Sequence, residues 1–171
     1  FVSVDIEVSW IDSHEDVMAI QEQLLHRAIS AVKEMHGDDI KKYFDVDVVV
    51  PSIPFPRVPL AEAIEIIKQR GHNVERAGDL DPEGERQIAA WAEETHGHEF
   101  VFVTDYPANV RPFYHMRHAD NPNLTKSYDL IWKGTEITTG AQREHRVDVL
   151  ESQVVDKGLE VEGLNFYLDF F

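Results

Sequence analysis

YDLIWKGTEITTGAQR, residues 128–143, reads as two short strands joined by a tight turn, with an acidic residue on each arm. Lys133-Gly134 falls between two β-rich runs, and a Gly in the second turn position suits the positive φ that two-residue hairpins require. With the turn placed there, Trp132 opposes Thr135, Ile131 opposes Glu136 and Asp129 opposes Thr138. Side chains alternate along a strand, so Asp129, Ile131, Glu136 and Thr138 fall on one face. Asp129 and Glu136 then become diagonal neighbours, roughly 7–8 Å apart. That gap is too wide for a shared proton and suits a divalent cation between the two carboxylates. Mg²⁺ takes hard oxygen ligands, keeps several waters and shares itself with substrate phosphates, so the pattern points toward nucleotide chemistry. An exposed hairpin whose acids simply solvate one face fits the same residues, because acid pairs are common on sheet surfaces.

Composition narrows the classes. A chain of 171 residues with 43% hydrophobic residues is long enough to bury a core of its own. The sequence has no apolar run of about 18 residues and no basic-apolar leader, which predicts no membrane span. It has no cysteine, which excludes disulfides and cysteine-ligated zinc and fits a cytoplasmic protein. The formal charge of −16 argues against a general grip on nucleic acid, since phosphate contacts need clustered Lys and Arg. Phe1 stands inside a strand pattern and Phe171 inside an apolar run, so a piece of a longer chain is expected.

Residues 2–10 (VSVDIEVSW) alternate strictly, with Val2, Val4, Ile6, Val8 and Trp10 on one face and Asp5 and Glu7 on the other, which predicts a half-buried strand. Ser13 followed by Glu15 and Asp16 starts a helix whose apolar residues recur at helical spacing until Gly37. Residues 45–50 read as a short strand ended by Pro51, Pro54 and Pro56. Pro59 opens a helix closed by Gly71, and Asp81-Pro82 opens another that stops near Gly97. Residues 38–97 therefore look like a helical insertion. Residues 99–104 (EFVFVT) form a strand, residues 111–116 (RPFYHM) the next, and Asp148 caps a helix ending at Gly158, with a final helix over 164–171. The short connections and alternating faces give an α+β fold, an antiparallel β-sheet flanked by helices. His96, His98, His115 and His118 match no zinc spacing, and their places at loop ends favour a non-metal role.

FVFVTDYPANVRPFYHM (residues 100–116) followed by KSYDLIWKGTEITTGAQREH (residues 126–145) resembles the aspartyl-tRNA synthetases of the archaeal and eukaryotic type, members of the class II aminoacyl-tRNA synthetases. The opening SVDIE resembles the strand after that family's motif 2, and the closing LNFYLDFF the helix before motif 3. The resemblance thus runs through the whole chain in order. It implies that residues 1–171 are part of a catalytic domain, with motifs 1 and 2, motif 3 and an N-terminal anticodon-binding OB domain lying outside the segment.

Residue by residue, the resemblance implies that Asp129 and Glu136 hold the Mg²⁺ ions that bridge the ATP phosphates, that Thr139 lies against both a metal and the bound aspartate, and that Arg143 grips the substrate's side-chain carboxylate. A planar guanidinium makes two parallel hydrogen bonds to a carboxylate, which an asparagine amide cannot match. Asp5 is similar in position to an acid near the substrate's α-amino group. Arg111 either adds positive potential to the pocket or is an ordinary strand residue. Strict alternation puts Thr139 on the face opposite Glu136, so a bulge is expected, with Gly140 its natural place. The implied activity is that of an aspartate–tRNA ligase, with L-aspartate, ATP and tRNA(Asp) as partners and a homodimer as the assembly; the segment alone is expected to be inactive. Two other readings stay open: a paralogue resembling an ammonia-dependent asparagine synthetase, which activates aspartate for an acceptor other than tRNA, and a non-catalytic binding module that kept the fold.

Overall fold

The Lys133-Gly134 corner takes the conformation its sequence requires. Lys133 has φ 51° and Gly134 φ 82°, the pair of left-handed residues whose twist matches the flanking strands. The computed structural model describes residues 2–75 and 78–170, and the chain divides into two units, Phe1–Phe55 and Pro56–Phe171.

The second unit carries a four-stranded sheet in the order β1 (Arg57–Pro59), β2 (Phe100–Thr104), β3 (Ser127–Trp132) and β4 (Thr135–Ala141). The β2–β3 and β3–β4 pairs are antiparallel, the second joined by the two-residue Lys133-Gly134 turn. The β1–β2 pair is parallel, so the sheet is mixed. Its crossover contains two helices, α2 (Leu60–Gln69) and α3 (Pro82–His96), and the stretch read as a helical insertion therefore also holds an edge strand. Val58, Val101, Val103 and Ile131 share a core with Ala63 and Ile67 of α2 and Ile88 and Ala92 of α3. The opposite face is aromatic: Phe100 stacks on Trp132 at 5.3 Å, and Phe102 meets Tyr128 edge-on at 5.2 Å.

Both boundaries of α3 have local causes. Asp81 caps α3 by accepting from the Gly84 N–H at 2.7 Å, Pro82 fills the first turn and Gly97 closes it with φ 64°. Gly134 lies so close to α3 that a Cβ there would stand 3.0 Å from Arg86 Cγ and 3.2 Å from its Cα. The hairpin tip and α3 are thereby held together.

In the first unit Ser13 caps α1 (His14–Phe44), with Asp16 completing a capping box. The helix does not stop at Gly37. A glycine inside a helix costs only about 1 kcal/mol relative to alanine, and the helix runs on to Asp45, whose φ of 55° ends it. Residues 2–10 form no strand. They pair with no strand among the described residues, and Trp10, at 101% relative exposure, has φ 62°. Residues 45–50 are likewise not a strand.

Residues 111–116 differ from expectation for a local reason. Pro112 supplies no N–H, and residues 113–114 turn, so the segment contributes only an isolated bridge between His115 and Arg143. The next helix, α4 (Val147–Asp156), has Arg146 at its cap with Asp148 in its first turn. The expected final helix shrinks to a 3₁₀ turn (Glu162–Leu164) and a single α turn, α5 (Asn165–Leu168); Phe171 lies outside the described residues. Among the described residues no helix is long and apolar enough to cross a membrane.

The hairpin's irregularity is the feature that matters for function. Trp132 pairs with Thr135 and Ile131 with Glu136, but Leu130 pairs with Thr138 and Asp129 with Thr139, leaving Ile137 as an extra residue. The bulge is therefore three residues before Gly140. Gly140 serves a different purpose: it faces Tyr128 across the strands, and a Cβ there would run into the tyrosine ring and hydroxyl. Gly140→Ala should destabilise the protein by about 1–3 kcal/mol, the usual cost of forcing extra volume into a packed site. A urea midpoint unchanged from that of the parent would contradict this.

Candidate functional site

The bulge at Ile137 changes which side chains share a face. Period-two counting from Glu136 would place Thr138 beside the acids and Thr139 away from them. With Ile137 inserted, Asp129, Ile131, Glu136 and Thr139 point to the same side, and Thr138 goes to the aromatic side. The expected partnership of Asp129 with Thr138 is thus corrected to Thr139. The three groups expected to serve a cation are brought together.

Asp129 is 3% exposed and pairs across the sheet with Val103 of β2. Its Oδ2 accepts from Arg111 Nη2 at 2.6 Å, while its Oδ1 has no hydrogen-bond partner. Arg111 also reaches toward the Thr139 hydroxyl, at 3.5 Å, and its guanidinium lies 3.7 Å from the centre of the Tyr106 ring. Burial first, and then the neighbouring Asp129 charge, push the Tyr106 hydroxyl far above its ordinary range. Arg111 is accordingly no ordinary strand residue but is tied to Asp129 and the Tyr106 ring.

Glu136 is exposed as a whole residue, yet desolvation of its carboxyl and the negative charges of Asp129, Glu85 and Asp79 push it up to about 7, with Arg111 opposing. Glu85, from the first turns of α3, accepts a hydrogen bond from the Glu136 backbone N–H at 2.8 Å. Neither Glu85 nor Asp79 was legible as a site residue, because both come from the α2–α3 region, some fifty positions away along the chain. The only sequence signal was their acidity beside a helix start.

Arg143 follows Thr139 with the same parity, two alternations further on. It is exposed, lies 5.9 Å from the Tyr114 ring and bridges through its backbone to His115. His115 is buried with its Nδ1 unpartnered, and burial, together with the Arg111 and Arg143 charges, lowers it to about 4. Beyond Arg143, Glu144 is almost wholly buried and held down to about 2 by Arg146, whose guanidinium pairs with it at 2.7 Å. This strut fixes the backbone after β4. Asp5 belongs to the first unit and is exposed.

The donors fit a hard divalent cation. Two carboxylates and a hydroxyl are oxygen ligands, and a buried carboxylate oxygen without a partner is the group a cation would satisfy. Among the described residues no cluster of three or more His, Cys, Asp or Glu is positioned to hold a metal. Two other histidines are engaged elsewhere: His98 Nδ1 contacts the Phe100 backbone, and His118 Nε2 pairs with Asp105 at 2.7 Å.

The family model for class II tRNA synthetases (D, K and N) matches residues 1–171. The chain belongs to this family. Among class II relatives, the aspartate–tRNA(Asp/Asn) ligase of Aeropyrum pernix is 45% identical over 171 residues and the aspartate–tRNA(Asp) ligase of Pyrococcus abyssi 38% identical over 169 residues; each alignment covers 99% of the chain and 38% of the relative. The chain therefore spans less than two-fifths of the length of these relatives. Among solved class II structures, an aspartyl-tRNA synthetase from Entamoeba histolytica superposes with a TM-score of 0.83 at 26% identity, over 93% of this chain and 33% of the other. An asparaginyl-tRNA synthetase from Pyrococcus horikoshii gives 0.79 at 28% identity, over 94% of this chain and 38% of the other. The mixed sheet with its helices is that of the class II catalytic core.

Proposed function

We propose that the chain is part of the catalytic domain of an aspartate–tRNA ligase, and that its hairpin face serves ATP and L-aspartate. The carrying observation is the bulged register that sets Asp129, Glu136 and Thr139 on one face with Arg143 next along the same edge. In the reaction a carboxylate oxygen of aspartate attacks the α-phosphorus of ATP, the bond to the β-phosphate oxygen breaks, and aspartyl-adenylate and pyrophosphate result. The ribose hydroxyl of the terminal tRNA adenosine then takes the aspartyl group and AMP leaves.

Asp129, Glu136 and Thr139 would hold Mg²⁺, which when bound supplies positive charge to the phosphate oxygens. Thr139 also faces the aspartate. Arg143 pairs with the substrate's side-chain carboxylate. Solved asparaginyl enzymes share the fold, so the amino acid is decided by side chains, and Arg143 favours aspartate through its two parallel charged hydrogen bonds. The net charge of −16 assigns the grip on tRNA(Asp) to regions outside these residues, in a cytoplasmic homodimer.

Pyrophosphate exchange tests the assignment. The full-length protein should exchange pyrophosphate into ATP with aspartate and not with asparagine, and the 171-residue chain alone should not. Robust exchange by the isolated chain, or exchange indifferent to the amino acid, would overturn it.

A further inference from the structure

The guanidinium of Arg111 stands where a cation would stand. Its Nη2 donates to Asp129 Oδ2 at 2.6 Å and its Nη1 to Thr139 Oγ1 at 3.5 Å. Its charge also reaches Glu136, whose carboxyl it helps keep ionised. The side chain is only 15% exposed and its Nε is buried without a partner. What holds it besides Asp129 is the Tyr106 face, 3.7 Å away, a seat that attracts a cation without demanding any one hydrogen bond. A carboxylate oxygen that already accepts a short charged hydrogen bond is a poorer ligand, and a divalent ion placed beside a guanidinium meets direct repulsion.

We propose that Arg111 is the resident counter-cation of this site, and that Arg111 and a divalent cation compete for Asp129 and Thr139. This rests on the reading that Asp129, Glu136 and Thr139 hold the cation. Asp129 then keeps a counter-charge with no metal, bare metal ions bind weakly, and a guanidinium displaced from Asp129 remains on the Tyr106 ring, available to an anionic group of the substrate. Arg111 acts here as a positioning residue, setting when the carboxylate is open to a metal.

The test is Mn²⁺ binding to the nucleotide-free full-length protein, followed by the electron paramagnetic resonance signal of free Mn²⁺ at neutral pH and fixed salt. Arg111→Met keeps the length and removes the charge, and should bind Mn²⁺ at least about tenfold more tightly than the parent, because a unit charge about 4 Å from a divalent ion is worth that much even at an effective dielectric near 20. Arg111→Lys retains the charge and should stay within about threefold of the parent. If Arg111→Met unfolds without metal, added Mn²⁺ should restore its circular dichroism, since the ion takes the place of the lost partner of Asp129. Unchanged or weaker Mn²⁺ affinity in Arg111→Met, equal tightening in both variants, or a Met variant that saturating Mn²⁺ cannot refold would each overturn the proposal. Glu136→Gln separates this from failure of the metal reading. If Glu136→Gln binds Mn²⁺ as the parent does, the metal reading is wrong; if it binds weakly while Arg111→Met gains nothing, only the role of Arg111 falls.

Discussion

Arg143→Gln should lower kcat/KM for aspartate in pyrophosphate exchange by the full-length protein by about 10⁴-fold, the discrimination reached when a site built to pair with a polar group loses that pairing. The effect on folding should be small. Arg143 is an exposed residue beside the Tyr114 ring, 5.9 Å away, and a substitution at an exposed position changes stability by about 0.5 kcal/mol. Arg143→Lys keeps the charge and loses the planar fork, and should recover only part of the lost rate. His115 cannot take over the role of second cation. Burial and the two flanking arginines hold it near 4, so it is neutral from about pH 5 upward and contributes no charge to a substrate carboxylate. Aspartate recognition should therefore be flat between pH 6 and 8 as far as this histidine is concerned. A variant that loses exchange in parallel with its melting temperature, or one that accepts aspartate as well as the parent, would remove Arg143 from the substrate pocket.

How much of this was legible beforehand follows from which interactions are local. The Lys133-Gly134 turn and the first two pairs of the hairpin are set by adjacent residues, and the structure places them where alternation does. The capping of α3 by Asp81 and its closure at Gly97 are equally local. The bulge was half legible. Glu136 and Thr139 can serve one site only if a residue is inserted between them, and Ile137 is that residue; Gly140 drew attention because glycine often marks irregularity, but its small size answers to Tyr128 on the neighbouring strand. The parallel β1–β2 pair escaped notice because β1 has three residues, ends in proline, and is a strand only by virtue of β2 some forty residues later.

Residues 2–10 make the converse point. Their alternation is as regular as that of any strand in the chain, yet strand structure is a property of a pair, and no described residue supplies the partner. Arg111 was uncertain for a related reason: RPFYHM looks extended by composition, whereas its guanidinium is placed by Asp129 and Tyr106, neither of which any local pattern connects to it. The acids that crowd Glu136 from α3 and the preceding loop are invisible for the same cause. Turns and helix caps in this chain are written locally; its strands and the electrostatics of the site are written by contacts across the fold.

Glu136→Gln should reduce exchange by the full-length protein about 100- to 1,000-fold, the loss typical when one group that stabilises developing charge is removed. Its pH behaviour separates a ligand from a bystander. Without a cation the parent carboxyl titrates near 7, lifted by desolvation and by Asp129, Glu85 and Asp79. A metal needs the ionised form, so Mg²⁺ affinity should climb as pH rises through 7 and level off above about 8, where deprotonation is complete. Because the folded-state pKa lies above the ordinary 4.5, the stability linked to this group is fully present below that value and is lost as pH rises toward and through 7. Metal-free Glu136→Gln should therefore be more stable than the parent above pH 7, by about 1 kcal/mol once the carboxyl's contact with solvent is allowed for. Saturating Mg²⁺ should reverse the order, since it stabilises only the protein that can bind it. Melting curves of both proteins at pH 6 and 8, with and without Mg²⁺, resolve these cases, and a parent whose Mg²⁺ affinity ignores pH between them would exclude Glu136 as a ligand.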